Sequence, residues 1–159
     1  MHSALARLNN LVTLCLFALF ALLCANHLSA YHLTGEPVGV DTHVAAVKMM
    51  TPQGPSIFAS IKADLRPVWT WNTKQLFVFV TIDYDLPGSK NSITIWDAII
   101  THKEDAVLDL EAVREYPVPD LSYLQGKEVT CTLRWEVMPI GGLLRLFDSA
   151  EGAVTTLLR

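Results

Sequence analysis

The sequence is poor in cysteine, and outside one apolar run near its N-terminus it contains a single thiol. Cys15 and Cys24 lie within that run, which leaves Cys131 alone in the rest of the chain. A lone cysteine cannot close an internal disulfide, so the C-terminal part of the chain has to be stabilised by its hydrophobic core. Cys131 falls on the apolar side of an alternating segment, and this position predicts a small buried side chain rather than a reactive thiol.

The sequence also lacks clusters of positive charge. Its 12 lysines and arginines are scattered among 16 aspartates and glutamates, and the formal net charge is -4. A phosphate backbone is bound by grouped basic side chains. The composition therefore argues against nucleic acid as a partner.

No recognisable catalytic motif occurs. There is no G-x-S-x-G nucleophile elbow, and His102 stands alone in a charged segment, so a Ser–His pair is not indicated. Asp83 and Asp85 share a predicted strand face and could act as paired carboxylates of a small exported hydrolase, or as calcium ligands. Two acids beside a Pro-Gly turn are more typical of a solvated strand end. We therefore expect no catalytic residue in this chain.

Patterns of metal ligands are missing as well. The spacing of His27, His32 and His43 would not bring three nitrogens onto one zinc ion. We expect neither a metal site nor a cofactor-binding site.

The strongest signal that is present is an apolar run of fifteen residues at 11–25, LVTLCLFALFALLCA. If Asn26 and His27 lie at a membrane interface and the helix continues through Tyr31, the segment reaches the roughly 20 residues that cross a bilayer. The predicted organisation is a short cytosolic tail at 1–10, a transmembrane signal-anchor helix at 11–31 and a domain at 32–159. The competing interpretation is a signal peptide cleaved after Ala30, which would release a secreted β-sandwich binding module.

The charges around the apolar run predict its orientation. Arg7 precedes the run, whereas Glu36 and Asp41 follow it. Positive charge is retained on the cytosolic side of a membrane segment. Both interpretations therefore keep the N-terminus in the cytosol and translocate the rest of the chain.

Beyond residue 37, alternating patterns predict strands separated by turn-forming residues. Apolar and polar side chains alternate most clearly at 57–65 and 128–139. Further strands are predicted at 40–50, 76–82, 92–101, 107–112, 143–147 and 153–158. Six to eight short strands without a long helical period predict a mainly β fold, an antiparallel β-sandwich preceded by a single transmembrane helix.

The segment 69–85, WTWNTKQLFVFVTIDYD, is apolar on both faces of its strand. The even-numbered residues from 76 to 82 form one face, whereas Phe77 and Phe79 point the other way. Two aromatic side chains on an outer face have to be covered by the domain's own loops, by a partner chain or by a membrane. Trp69 and Trp71 are expected on one common face of the residues that lead into this strand.

Several of these blocks resemble the third, non-catalytic subunit of the eukaryotic signal peptidase complex. The blocks are IKADL at 61–65, WNTKQLF at 71–77 and IWD at 95–97. LRWEVMP at 133–139, followed by Gly142, is similar to the closing strand and turn of that family. The resemblance extends over nearly the whole chain.

The resemblance implies a single-pass type II protein of the endoplasmic reticulum membrane. Its lumenal β-sandwich would support a separate serine-type catalytic subunit, which removes signal peptides from nascent secretory proteins. The implied partners are that catalytic subunit, the other membrane subunits and the lipid bilayer, with nascent preproteins in transient proximity.

A candidate subunit interface follows from the side chains that the predicted core does not explain. These are Trp69, Trp71, Lys74, Phe77, Phe79, Leu143, Leu144 and Phe147.

Alkaline carbonate extraction separates the anchor from the cleaved signal peptide. We expect the full-length chain to stay in the membrane pellet, because a helix that spans the bilayer is not released by high pH. A mature polypeptide that begins at Tyr31 and is washed out in soluble form would contradict the anchor.

Overall fold

One N-terminal helix and eight strands make up the regular structure in a computed structural model, which describes residues 3–33, 41–51, 54–118, 124, 128–149 and 154–157. The helix, α1, spans Ala4–Leu33. The strands are β1 (Asp41–Thr51), β2 (Gly54–Asp64), β3 (Thr73–Leu86), β4 (Ser89–Ile100), β5 (Val107–Val113), β6 (Glu128–Pro139), β7 (Arg145–Asp148) and β8 (Val154–Leu157).

The strands form two antiparallel sheets. The three-stranded sheet has the order β1-β2-β5, and the five-stranded sheet has the order β4-β3-β6-β7, with β8 also paired to β6. β3 lies between β4 and β6, so its backbone is hydrogen-bonded on both sides. This arrangement confirms the predicted mainly β class with a single N-terminal apolar helix in the described part of the chain.

The core is built from alternate residues of facing strands. In β2, the odd-numbered residues from 57 to 63 are buried, and in β3 the even-numbered residues from 76 to 82 are fully buried. The register places Val78 opposite Trp135 and Val80 opposite Leu133 in β6. Because the buried cluster takes side chains from both sheets, the two sheets form a sandwich around it.

The predicted strands are present, but several ends differ. β6 has the predicted bounds, whereas β3 is longer at both ends and β7 begins at Arg145 instead of residue 143. Gly142 lies in the left-handed region with φ +124, and this turn delays the start of β7. The predicted ends at Val40, Ala153 and Leu158 lie outside the described residues.

The helix begins earlier than the apolar run suggests. α1 starts at Ala4 because residues 4–10 are mostly good helix formers. By length and composition, the 26 residues Ala4–Ser29 are able to cross a membrane, and the most apolar window of this stretch is not buried in the protein. The side chains of Tyr31 and His32 lie outside the described residues.

The expectation that Trp69 and Trp71 share one face is wrong. A 3-10 turn at Arg66–Val68 and a second turn at residues 71–72 interrupt the extended backbone before β3. Trp69 therefore packs against the core, whereas Trp71 is 62% exposed.

Cys131 is fully buried on the core side of β6, as predicted. Burial, with a smaller contribution from the negative charge of Asp83, raises the pKa of its thiol to about 12. The thiol is therefore protonated at neutral pH, which makes it a poor nucleophile.

Truncation in β2 tests the assignment of the core. We expect Ile61→Ala to lower the free energy of unfolding by about 2–5 kcal/mol, because it leaves a cavity between the sheets. Ile99→Ala is the matched control, since Ile99 is 59% exposed, and surface truncations usually change stability by less than about 0.5 kcal/mol. Chemical unfolding of the full-length chain in mild detergent, followed by near-ultraviolet circular dichroism, measures both. Equal losses would contradict the assignment.

Candidate interaction surfaces

Phe77 and Phe79 lie on the outer face of the five-stranded sheet. Their ring centroids are 5.2 Å apart with an interplanar angle of 27°, so the two rings stack along the strand. Both side chains are half-buried. β3 thus contributes one face to the core and presents two aromatic rings on the other.

Two exposed aliphatic side chains extend this aromatic surface. Phe77 pairs with Ile99 on β4 and with Glu136 on β6, and Glu136 in turn pairs with Leu146 on β7. Paired residues of antiparallel strands point to the same face. Ile99 is 59% exposed and Leu146 is 61% exposed. We call Phe77, Phe79, Ile99 and Leu146 the outer-face patch.

The outer face becomes polar towards the far end of β3. Asp83 accepts a hydrogen bond from the Arg134 Nη2 atom at 2.9 Å and one from the Thr132 hydroxyl at 3.4 Å. Asp85 follows two residues later and is exposed. An ion pair followed by an exposed acid that lies opposite Lys90 fits the expected solvated strand end. Within the part of the chain that the structure describes, no group of three or more His, Cys, Asp or Glu residues is placed to hold a metal ion.

Asn72 joins the turn before β3 to the turn after β6. Its Nδ2 atom donates to the Gly141 carbonyl at 2.8 Å, and its Oδ1 atom accepts from the Gly141 amide at 3.2 Å. The Asn72 carbonyl also accepts from the Ile140 amide at 2.7 Å. Asn72 is only 4% exposed, so these bonds are shielded from water. We call these three bonds the Asn72 clamp.

The C-terminal part of α1 reaches the same end of the sandwich. Asn26 Nδ2 donates to the Gly141 carbonyl at 3.5 Å, so that carbonyl accepts hydrogen bonds from two asparagines. A Cβ atom on Gly142 would lie 3.4 Å from His27 Nδ1. His27, Pro139 and the two glycines are among the residues that line a small cleft between the helix and the sandwich. The two glycines therefore allow the helix to approach the turn closely.

Exposed apolar side chains surround this contact between helix and sandwich. Trp71 is 62% exposed, and Leu144 is 59% exposed. Ile140 and Leu143 are each 71% exposed. We call these four residues the junction patch, because Trp71 adjoins Asn72 and the other three adjoin Gly141 and Gly142 in the sequence.

The eight predicted interface residues fall into three environments. Phe77 and Phe79 belong to the outer-face patch, and Trp71, Leu143 and Leu144 belong to the junction patch. Trp69 and Phe147 pack partly against the core, and Phe147 stacks on Trp135 with centroids 6.2 Å apart. Lys74 is exposed at the start of β3. Trp69 and Phe147 are therefore partly buried by other residues of this chain.

Sequence reasoning did not single out Asn72, Ile99 or Ile140 as interface residues, and it placed Leu146 only within the candidate stretch 143–147. Ile99 and Leu146 join the outer-face patch through strand pairing, and no local pattern reveals which residues pair across a sheet. Asn72 was part of a block used for the family resemblance, but its partner, Gly141, is 69 positions away.

Replacing Asn72 tests the clamp. We expect Asn72→Asp to lower the free energy of unfolding by about 1–3 kcal/mol, because a carboxylate at this buried position cannot donate to the Gly141 carbonyl. Asn91→Asp is the matched control, since the Asn91 side chain near the start of β4 donates exposed, local hydrogen bonds to Ser89, two residues away. Chemical unfolding of the full-length chain in detergent gives both values. Equal stability of the two variants would show that the clamp contributes nothing.

Comparison with known proteins identifies the family. The chain matches the profile of the family described as signal peptidase subunit over residues 1–157. It is similar to proteins named signal peptidase complex subunit 3 from Debaryomyces hansenii, with 46% identity over 89 residues, and Saccharomyces cerevisiae, with 40% identity over 88 residues. Each alignment covers 53% of this chain, and they cover 47% and 48% of the relatives. The chain therefore spans about half the length of these two curated relatives.

A third relative is matched over most of its length. The protein named signal peptidase complex subunit 3 from Caenorhabditis elegans is 28% identical over 167 residues, covering 97% of this chain and 93% of that protein. Since the family profile covers the apolar helix and nearly all of the sandwich, the chain belongs to the signal peptidase subunit family.

Proposed function

We propose that this chain is a non-catalytic accessory subunit of the signal peptidase complex, which supports the catalytic subunit in removing signal peptides from nascent secretory proteins. The observation that carries the proposal is the family match over residues 1–157. It includes both the apolar helix and the sandwich, so the two parts belong to one family pattern. A secreted binding module without its helix is not favoured by this match.

The environments of two buried serines support a non-catalytic role. Ser56 accepts a hydrogen bond from Arg114 at 2.6 Å, and Ser149 accepts one from the Leu133 amide at 3.1 Å. His102 contacts the neighbouring Thr101 hydroxyl at 3.0 Å in an exposed loop. A serine nucleophile requires a base within hydrogen-bond reach. We therefore assign the serine-type peptidase chemistry to a separate subunit.

The apolar helix and the family membership fit a location in the endoplasmic reticulum membrane. For the topology, we propose that α1 spans the bilayer with its N-terminus in the cytosol. Arg7 precedes the apolar stretch, whereas Glu36 and Asp41 follow it, and positive charge favours the cytosolic side. The sandwich is then lumenal, where the catalytic subunit and emerging preproteins meet it.

We assign the outer-face patch as the contact surface for the catalytic subunit. Aromatic side chains are enriched in protein interfaces, and buried aromatic anchors supply much of the binding energy. Phe77 and Phe79 stack at 5.2 Å on the central strand β3, and exposed Ile99 and Leu146 flank them. A partner that covers these four side chains would remove apolar surface from water on both sides of the stacked rings.

The position of the patch also suits a partner held in the same membrane. Phe77 follows Thr73 by four residues, a rise of about 13 Å along the strand, and Thr73 lines the cleft beside α1. The patch thus lies close to the end of the sandwich that meets the helix. Confinement of both subunits to one membrane raises their effective concentration, so that a modest contact area gives a lasting complex.

Charge placed in the outer-face patch tests this assignment. We expect Phe79→Asp to abolish or strongly reduce co-purification of signal-peptide-cleaving activity with the chain in mild detergent, because a carboxylate would be buried against the partner. Ser92→Asp is the matched control, since Ser92 is exposed on the same face and pairs with Asp83 at the polar end. We expect this variant to retain the activity.

Near-ultraviolet circular dichroism of the purified variants separates loss of binding from loss of folding. A native spectrum for Phe79→Asp without associated activity supports the assignment. A native spectrum with activity fully retained contradicts it, and an unfolded chain would show that this face belongs to the core. If the unsubstituted chain itself never carries the activity, the accessory-subunit proposal fails.

A further inference from the structure

We propose that the junction patch inserts into the interfacial region of the lumenal leaflet, so that the sandwich is held at the membrane by its own surface as well as by α1. The patch consists of Trp71, Ile140, Leu143 and Leu144. The inference rests on the proposed membrane anchoring of α1. It adds a second membrane contact and names the lipid headgroup region as its ligand.

The location of the patch follows from the contact between helix and sandwich. The apolar stretch of α1 ends at Ser29, and Asn26, within its last turn, donates to the Gly141 carbonyl at 3.5 Å. A helix that spans the bilayer leaves the hydrocarbon region where its polar residues begin. The turn around Gly141 therefore lies at the depth of the lipid headgroups. Ile140 precedes this turn and Leu143 and Leu144 follow it, whereas Trp71 lies in the turn that the Asn72 clamp joins to it.

The side chains of the patch have the chemistry of a bilayer interface. Tryptophan concentrates at the boundary between lipid and water, because its ring is apolar and its indole N–H remains hydrated. The three aliphatic side chains are between 59% and 71% exposed, and Trp71 is 62% exposed. Large apolar side chains that are exposed together mark a surface that meets a membrane or a partner.

The charges near the patch suit a surface that carries lipid phosphates. Residues 65–77 and 137–147 contain no aspartate or glutamate, and they contain Arg66, Lys74 and Arg145. Arg66 pairs with Asp64, whereas the Lys74 side chain is exposed. Basic side chains near a membrane surface are attracted to lipid phosphates and anionic headgroups.

The opposite end of the same strand is polar. Asp83 and Asp85 lie near the far end of β3, about 33 Å or more from Thr73 at roughly 3.3 Å per residue. Asp83 is paired with Arg134, and Asp85 lies opposite Lys90 on β4. The far end therefore carries charges of both signs, whereas the exposed apolar side chains of the junction patch lie at the end beside the helix.

Insertion of the patch would fix the height of the outer-face patch above the bilayer. A helix contact alone leaves the sandwich free to tilt about the junction, whereas a second contact restrains it. Because Phe77 is about 13 Å from Thr73 along the strand, restraining the Thr73 end at the bilayer also restrains the distance of Phe77 from the bilayer. A catalytic partner bound there would be held close to the membrane, where a signal peptide emerges.

Spin-label accessibility in lipid vesicles tests the proposal. The full-length chain with Cys15→Ser and Cys24→Ser is reconstituted into vesicles of phosphatidylcholine with a minor fraction of phosphatidylserine. Buried Cys131 stays unlabelled. Single labels are placed through Leu143→Cys in the patch, Ile99→Cys as an exposed aliphatic control, and Leu19→Cys as a reference within α1. Oxygen partitions into lipid, whereas a water-soluble nickel complex stays outside.

We expect the ratio of oxygen to nickel accessibility to be several-fold higher at Leu143 than at Ile99, and to approach the value at Leu19. Adding Leu144→Asp to the Leu143-labelled chain should lower the ratio, and adding Ser92→Asp should not. These results together would support insertion of the patch.

Three other results would overturn the proposal. If the nickel complex reaches the label at Leu143 while oxygen reaches the label at Leu19, α1 lies in the membrane and the patch lies in water. Exclusion of both reagents from Leu143 would show that protein covers the patch. Equal lipid exposure at Leu143 and Ile99 would show that membrane contact is not selective for the patch. Nickel access at Leu19 would instead refute the membrane anchor itself.

Discussion

The buried side chain of Asn72 organises the end of the sandwich on which the rest of the architecture depends. Its two bonds to Gly141, at 2.8 Å and 3.2 Å, join turns that are distant in sequence. The Gly141 carbonyl also accepts from Asn26 of α1 at 3.5 Å. An amide is suited to this position because it donates and accepts at the same time. Helix, first turn and second turn therefore meet at one peptide group, and the residues of the junction patch flank it in the sequence.

The two faces of β3 explain why this chain needs partners. One face completes a core without a disulfide, since the only cysteine in the described part of the sandwich is a buried free thiol. The other face carries Phe77 and Phe79 in the middle of a sheet where hydrogen bonds on both sides already fix the backbone. An apolar outer face gives no stability to the isolated domain and increases the risk of aggregation. On the proposed function, the catalytic subunit covers this face, and a membrane tether keeps that partner nearby.

Local pattern and long-range pairing account for what could and could not be predicted from the sequence. Strict alternation of apolar and polar residues was sufficient to predict the bounds of β6, the buried face of β2 and the outward direction of Phe77. The reason is that side-chain direction in a strand has a period of two. The same rule failed for Trp69 and Trp71, since a 3-10 turn at Arg66–Val68 breaks the extended backbone there. The Ile99–Phe77–Glu136–Leu146 row depends on register between strands, which no local pattern specifies. The Asn72 clamp could not be predicted for the same reason, because Asn72 and Gly141 are 69 positions apart in the sequence.

Geometry links the two patches to one mechanical role. On the proposed topology, α1 fixes where the sandwich lies in the membrane plane. Among the described residues, Asn26 and His27 meet the glycine turn of the sandwich, and this small contact leaves rotation and tilt about the junction possible. Apolar residues on loops at both sides of that turn resist tilt, because any tilt would withdraw some of them from the interface into water. Strand β3 then acts as a rigid spacer between the junction and the stacked phenylalanines, since it is hydrogen-bonded along both edges. A subunit without catalytic groups can in this way determine the height at which another subunit's active site meets its substrate.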